Sequence, residues 1–309
     1  MVSDTMTAIQ QELINLVNRH IDGPGLTETA LPDIKLVHST ENTSCSPTIY
    51  SPMLCLLLQG EKRITAGARE LLLKEGDLLL VPVMMPVVGE ILRASAEQPY
   101  IGISIALDLK ELTDLLITMN EPPEAITKCP YCIRTVTSDD DILSVFKRFL
   151  ALLDHPEDVP VMLPLLKREL MFRLLKSPVG VQLRQFLLRD TQANRISKVV
   201  ELIQQRFKEP IRVQELADMV HMSQSSLFNA FKAVTSMTPL QFQKQLRLNE
   251  ARRIMLQDGI DASAASYRVG YESPSHFNRE YSRLFGIPPM TDISRLRGHK
   301  PTTDDRIQM

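Results

Sequence analysis

Three side chains near the end of the chain, Ser275, Asn278 and Arg279, stand at spacings of three and one, so a helix would carry them on a single face. Their chemistry suits the reading of a flat hydrogen-bonding edge. A guanidinium presents a rigid fork of donors that pairs best with guanine, and a carboxamide sets a donor beside an acceptor, which suits adenine. His276 and Arg283 flank the set. Fifty residues earlier the matching positions hold Ser225, Phe228 and Asn229, with Ser226 and Lys232 beside them. Phe228 departs from the polar residue expected there, and its ring suits contact with a thymine methyl or partial packing.

A second candidate chemistry lies in Cys129-Pro130-Tyr131-Cys132, a C-x-x-C whose letters match a glutaredoxin active site although the match ends with those four residues. Redox use of such a pair wants its first thiolate at a helix N-terminus, whereas here the pair precedes IRTVT, which reads as strand. Three readings stay open: a structural pair or two reduced thiols, a switch sensing oxidants or electrophiles, and half of a metal site with no second C-x-x-C to complete it. Cys45 and Cys55, in or near strands, read as small apolar core groups. None of the six histidines falls between residues 53 and 107, so the β-rich stretch lacks the H-x-H that a metal-dependent barrel enzyme needs. Nucleophile elbow, P-loop and dinucleotide fingerprint are missing as well, and no catalytic residue, metal or cofactor is expected.

The elements that must position the first set can be read from spacing. After the Gly270-Tyr271 turn, Ser273 stands where a helix N-cap belongs and Pro274 at the first helical position. Phe277, Tyr281, Leu284 and Phe285 then make one apolar stripe, and Gly286 with Pro288 and Pro289 ends the helix. The pattern repeats: Ser223 matches Ser273, Leu227 matches Phe277, Phe231 matches Tyr281, and Pro239 matches Pro289. Each copy follows a short helical segment, so each is helix, turn, helix. Residues 240–257 between them contain neither Gly nor Pro and read as one joining helix.

On these residues, LADMVHMSQSSLFNAFKAVT and SYRVGYESPSHFNREYSRLFGIPP joined by QFQKQLRLNEARRIML, residues 196–297 resemble the DNA-binding domain of the AraC/XylS family of bacterial transcription regulators. A single helix-turn-helix would be weak evidence, but two in tandem with this linker are highly specific. The charges agree with the resemblance. The whole chain carries a net charge of −2, yet residues 193–298 hold 15 Lys and Arg against 10 Asp and Glu, while residues 1–192 hold 18 against 25. The basic half is the one that must meet phosphates. Arg247, Arg252, Arg253 and Arg283 suit phosphate contacts or ion pairs better than base contacts.

Upstream, residues 34–107 carry short β-type runs punctuated by Gly60, Gly67, Gly76 and Gly89, the rhythm of a small antiparallel barrel or sandwich. A helix over residues 7–20 precedes them, and three helical segments follow from residue 108, the third interrupted by Pro164. The stretch resembles, on order and spacing, the cupin-like N-terminal sensor domain of one branch of the same family, in which a barrel holds a small effector. Alternate strand positions such as Leu56, Leu58, Leu78, Leu80 and Ile103 are the candidates to face it.

The fold class expected is α+β and multidomain: a cupin-like sensor barrel with its N-terminal helix over residues 1–107, a helical dimerisation or linker region over 108–190, an all-α domain with two helix-turn-helix motifs over 191–298, and a tail over 299–309. No apolar run reaches membrane-spanning length and no signal segment opens the chain, which implies a cytoplasmic protein. The resemblance implies a ligand-responsive regulator, an activator contacting RNA polymerase, with double-stranded DNA and a small-molecule effector as partners and a homodimer formed through the N-terminal half. The alternatives are an effector-independent architectural DNA binder and a regulator sensing oxidants or electrophiles through Cys129 and Cys132. A lined pocket of about 300 Å³ or more inside the barrel would favour an effector, and a barrel filled by side chains would not.

Overall fold

A computed structural model describes residues 8–21, 23–120 and 132–298. The strands form two sheets, and every pairing is antiparallel. One sheet runs β1 (Gly25–Glu28), β2 (Ile34–Ser39), β9 (Tyr100–Ala106), β4 (Met53–Gln59), β7 (Asp77–Val81), β10 (Arg134–Thr137). The other runs β3 (Ser46–Tyr50), β8 (Met85–Arg93), β5 (Glu61–Ala66), β6 (Arg69–Leu73). They face each other as an open sandwich, broadly cupin-like, and do not close into the expected barrel.

The six-stranded sheet is buried on both faces. Its outer face is covered by α1 (Ala8–Arg19), α2 (Leu109–Met119), α3 (Asp140–Ala151), α4 (Val159–Lys176) and α5 (Gly180–Leu187), around a core that includes Leu13, Val17, Phe146, Phe149 and Leu170. Aspartates open two of these helices: Asp108 accepts from the N–H groups of Lys110 and Glu111, and Asp139 accepts from that of Ile142. Pro164 does not interrupt α4 as expected. The only backbone bond it removes would run to the carbonyl of Pro160 in the exposed first turn, where water can replace it.

The remaining helices build two similar units. α6 (Gln192–Arg206) packs against the first, made of α7 (Val213–Met219) and α8 (Gln224–Thr235). α9 (Pro239–Asp258) then leads to α10 (Ala262–Arg268), α11 (Pro274–Phe285) and α12 (Pro289–Gly298). α9 opens with a capping box between Thr238 and Gln241 and closes on Gly259 in the left-handed region. No helix among the described residues is long and apolar enough to cross a membrane.

The sandwich and the helical units touch. The Cys132 N–H donates to the carbonyl of Val234 at 3.2 Å, and α9 lies against β3 and β8. Gly67, at φ +60 in the β5–β6 turn, comes so near Ser236 that an added Cβ would sit 2.4 Å from the serine Cβ. Only glycine fits that approach and that dihedral.

Candidate nucleic-acid interface and internal cavity

Both recognition-type helices are capped as their sequences imply. The Ser223 hydroxyl accepts from the Ser226 N–H, and that of Ser273 from the His276 N–H. Leu227 and Phe231 are buried under α8, Phe277 and Tyr281 under α11, all at 0% exposure. Of the expected stripe on α11, Leu284 and Phe285 are only half-buried, and Glu280 is buried instead through pairing with Lys244 of α9 and Arg283. Consecutive packing side chains leave the opposite faces to solvent. Ser225, Ser226, Phe228, Asn229 and Lys232 on α8, and Ser275, His276, Asn278, Arg279 and Arg283 on α11, are all exposed.

These side chains are not equally available. Ser225 and Ser226 lie 3.1 and 2.9 Å from the capping Ser223 hydroxyl, and the His276 ring packs edge-on against Tyr271. Among the described residues, the side chains of Asn229, Lys232, Asn278 and Arg279 have no hydrogen bond or ion pair within the protein. The arginines of α9 are engaged internally. Arg247 donates to the carbonyls of Phe207, Lys208, Glu209 and Gly270, which ties the end of α6 to the turn of the second unit. Arg252 pairs with buried Asp292, and Arg253 pairs with Glu250. The helix that joins the two units is therefore tied through Arg247 to the end of α6 and the Gly270 turn, and through Arg252 to α12.

Between the two sheets lies a cavity of about 170 Å³, lined in part by Val37, Tyr50, Cys55, Lys62, Leu79 and Tyr100. Leu56, Leu58, Leu78, Leu80 and Ile103, the positions expected to face an effector, point the other way into the helical layer. Register explains the reversal. Ile103, Leu56 and Leu78 lie opposite one another across β9, β4 and β7, as do their neighbours Ser104, Cys55 and Leu79, and the latter row faces the cavity. The sequence reading missed Lys62. It stands two residues before Ile64 and four before Ala66 on β5, all three buried, so the alternation that turns Ile64 inward turns the lysine inward as well. Ile49 of β3 lines this cavity and also a cleft of about 330 Å³ between the sandwich and the helical units, bounded by Met84, Phe207, Leu246 and Arg253 among others.

Cys129 lies outside the described residues. Cys132 is fully buried, with its Sγ 3.4 Å from the Met85 Sδ, and burial pushes its thiol up to about 12. Cys55 is buried too, its thiol pushed up to about 11, while Cys45 is exposed and is not the core group expected. Brief alkylation of the native chain at mildly alkaline pH should therefore modify Cys45 and spare Cys55 and Cys132, as read by mass spectrometry of the peptides. Labelling of Cys132 as fast as Cys45 would contradict its burial.

The family model described as AraC-type transcriptional regulator N-terminus matches residues 30–182, and one described as Helix-turn-helix domain matches residues 216–294. Over 104 residues the chain is 30% identical to the HTH-type transcriptional regulator ArgR of Pseudomonas aeruginosa, covering 34% of this chain and 32% of that protein. Over 89 residues it is 33% identical to the RCS-specific HTH-type transcriptional activator RclR of Escherichia coli, covering 29% and 31%. The alignments thus span about a third of the length of these relatives. Among solved structures, ToxT from Vibrio cholerae superposes with a TM-score of 0.53 at 10% identity, covering 86% of this chain and 99% of that one. At that identity the likeness is one of fold.

Proposed function

Because the chain belongs to the AraC/XylS family of transcription regulators, we propose that it is a ligand-responsive, sequence-specific DNA-binding regulator acting in the cytoplasm, an activator that contacts RNA polymerase. The observation that carries the reading is the pair of capped helices, α8 and α11, whose unpaired polar side chains face solvent while one helix, tied through Arg247 and Arg252, joins their units. The 20 residues of α9 span about 30 Å at 1.5 Å per residue, close to the roughly 34 Å between successive major-groove faces of a duplex. A single chain then reads an asymmetric site of two short boxes. Pairing of two chains through Val161, Leu165 and Phe172, which α4 leaves exposed, doubles it.

The sandwich cavity supports the ligand-responsive form over the effector-independent one. It falls short of the drug-sized volume named as the criterion, yet the interior is not filled by side chains and has room for one small molecule. Ile49 offers the coupling: it borders the cavity on one side and the cleft against the helical units on the other. The burial of Cys132 weighs against the redox reading.

Selection of bound duplexes from a randomised pool, followed by footprinting, tests the DNA reading. Two protected boxes about 10 base pairs apart, with affinity falling steeply as salt rises, are expected. A pool with no enriched sequence after selection would refute it.

A further inference from the structure

Lys62 is 7% exposed and sits inside the sandwich cavity, with no carboxylate paired to it among the described residues. Its ammonium lies 5.8 Å from the centroids of both the Tyr50 and the Tyr100 rings, with the Tyr50 hydroxyl as its neighbouring polar group. A Cβ on Gly89 would sit 3.2 Å from the lysine Cε, so the absence of a side chain at that position leaves the ammonium its room. The rest of the lining is mainly apolar, with Val37, Cys55, Ile64, Leu73 and Leu79 among it, and Ser51 and Ser104 are its further uncharged polar residues. The charged groups at the rim are already matched, Asp33 to Lys167 at 2.7 Å and Lys35 to Glu28 at 2.6 Å.

A buried cation is costly unless an anion and hydrogen bonds compensate it. Here the compensation within the chain is two ring faces and a neighbouring phenol, and the space beside the ammonium is cavity. Burial works against the charge, and the neighbouring Tyr50 and Tyr100 oxygens pull the other way, leaving the ammonium's pKa raised. One cation among apolar walls suits a single negative charge on an apolar body, and the cavity of about 170 Å³ limits that body to one aromatic ring or a short alkyl chain. A dianion such as phosphate finds too few donors and the wrong walls.

We propose that the effector of this regulator is a small monocarboxylate, its carboxylate seated on Lys62 beside the Tyr50 hydroxyl and its apolar part against Ile64, Leu73 and Leu79. The assignment rests on the ligand-responsive reading above and deepens it. Lys62 then supplies a charge-assisted hydrogen bond that a neutral analogue cannot match. Tyr50 belongs to β3, next to Ile49, so the carboxylate seats against the strand that meets α9.

The test uses the full chain, with thermal unfolding followed across concentrations of benzoate and hexanoate and of the matching amides, for wild type, Lys62→Met and Tyr50→Phe. In wild type at least one acid should raise the midpoint saturably and the amides should not. Lys62→Met should lose about ten- to a hundred-fold in affinity for that acid. Without ligand it should unfold no lower than wild type, since a buried charge gives way to an apolar group of similar volume. Tyr50→Phe should weaken the acid to a smaller degree.

Amides that bind as well as the acids, Lys62→Met that keeps its affinity, or acids that leave the midpoint unmoved would each overturn the assignment. Operator binding with and without ligand separates the two readings. If a neutral compound fills the cavity and changes operator binding, the regulator stays ligand-responsive and the carboxylate falls. If the acid binds through Lys62 with operator binding unchanged, the carboxylate stands and the response falls.

Discussion

Replacing Asp292 with alanine is expected to unfold the second helix-turn-helix unit at temperatures where the wild-type chain is folded. Asp292 is 3% exposed, and two side chains converge on its carboxylate with three hydrogen bonds. Arg252 of α9 donates to both oxygens, at 2.8 and 3.2 Å, and the Tyr281 hydroxyl of α11 donates at 2.7 Å. The guanidinium also stacks 4.8 Å above the Phe285 ring. One carboxylate thus joins the framing helix, the recognition helix and α12. Alanine leaves a buried guanidinium without its counter-charge and a buried hydroxyl without its acceptor, a loss of about 3–5 kcal/mol for breaking a pair of this kind. Since whole domains are stable by only about 5–15 kcal/mol, the change is a large share of what holds the unit together. Asp292→Asn keeps an acceptor for Tyr281 and should fall between alanine and wild type. Urea unfolding followed by circular dichroism decides it: an Asp292→Ala midpoint equal to wild type would show that the triad contributes nothing net. Loss of the triad should also abolish specific DNA binding, because the packing of Tyr281 and Phe285 sets how α11 is presented.

The units that Asp292 and Arg247 hold together were legible from local sequence because their signals are local. Ser223 and Ser273 cap the helices they precede, Gly286 takes the left-handed conformation after α11, and the joining helix runs one residue beyond its expected bounds at each end. A cap, a proline at the first turn and a glycine at the end act through the nearest few residues, and no distant contact overrides them. The β-rich run over residues 34–107 and the helical segments from residue 108 were legible from composition and period in the same way.

What the sequence did not give is which way the strands face. Alternation reveals an inward face only when the other face meets water, and β4 is buried at five consecutive positions because helices cover its far side. A one-residue ambiguity there exchanges the whole set of Leu56, Leu58, Leu78, Leu80 and Ile103 for Cys55, Leu79 and their neighbours. β5 did alternate, and the signal at Lys62 was present. A lysine at an inward position is read as solvated unless a partner or a cavity is already known, since lysine is among the residues least often buried. β3, carrying Pro47, lacks a strand-like composition, and it is held by its pairing with β8. Its importance comes from what lies on its two sides, which no spacing within it records.

The second large effect is expected at the DNA itself, from Asn229→Ala combined with Arg279→Ala. Both side chains are exposed and make no hydrogen bond or ion pair within the described protein, so their removal should leave folding stability within about 0.5 kcal/mol of wild type. Base contacts of this type contribute about 1–3 kcal/mol each to discrimination. The two positions sit on different helices, α8 and α11, which on the proposed reading address different boxes, and separated sites of this sort add. The double variant should then lose about 2–6 kcal/mol of specific binding while binding to random DNA changes little. Each single variant should relax preference in one box only, α8 in one and α11 in the other. Lys232→Ala makes the contrast: if this exposed lysine holds a phosphate, its loss should weaken every sequence alike and reduce the slope of log affinity against log salt by about 1. Titrations of the selected duplex and of a scrambled one, at several salt concentrations, separate these patterns. Unchanged preference in both boxes after the double substitution would mean that other side chains read the bases and that these two faces, however exposed, do not enter the groove.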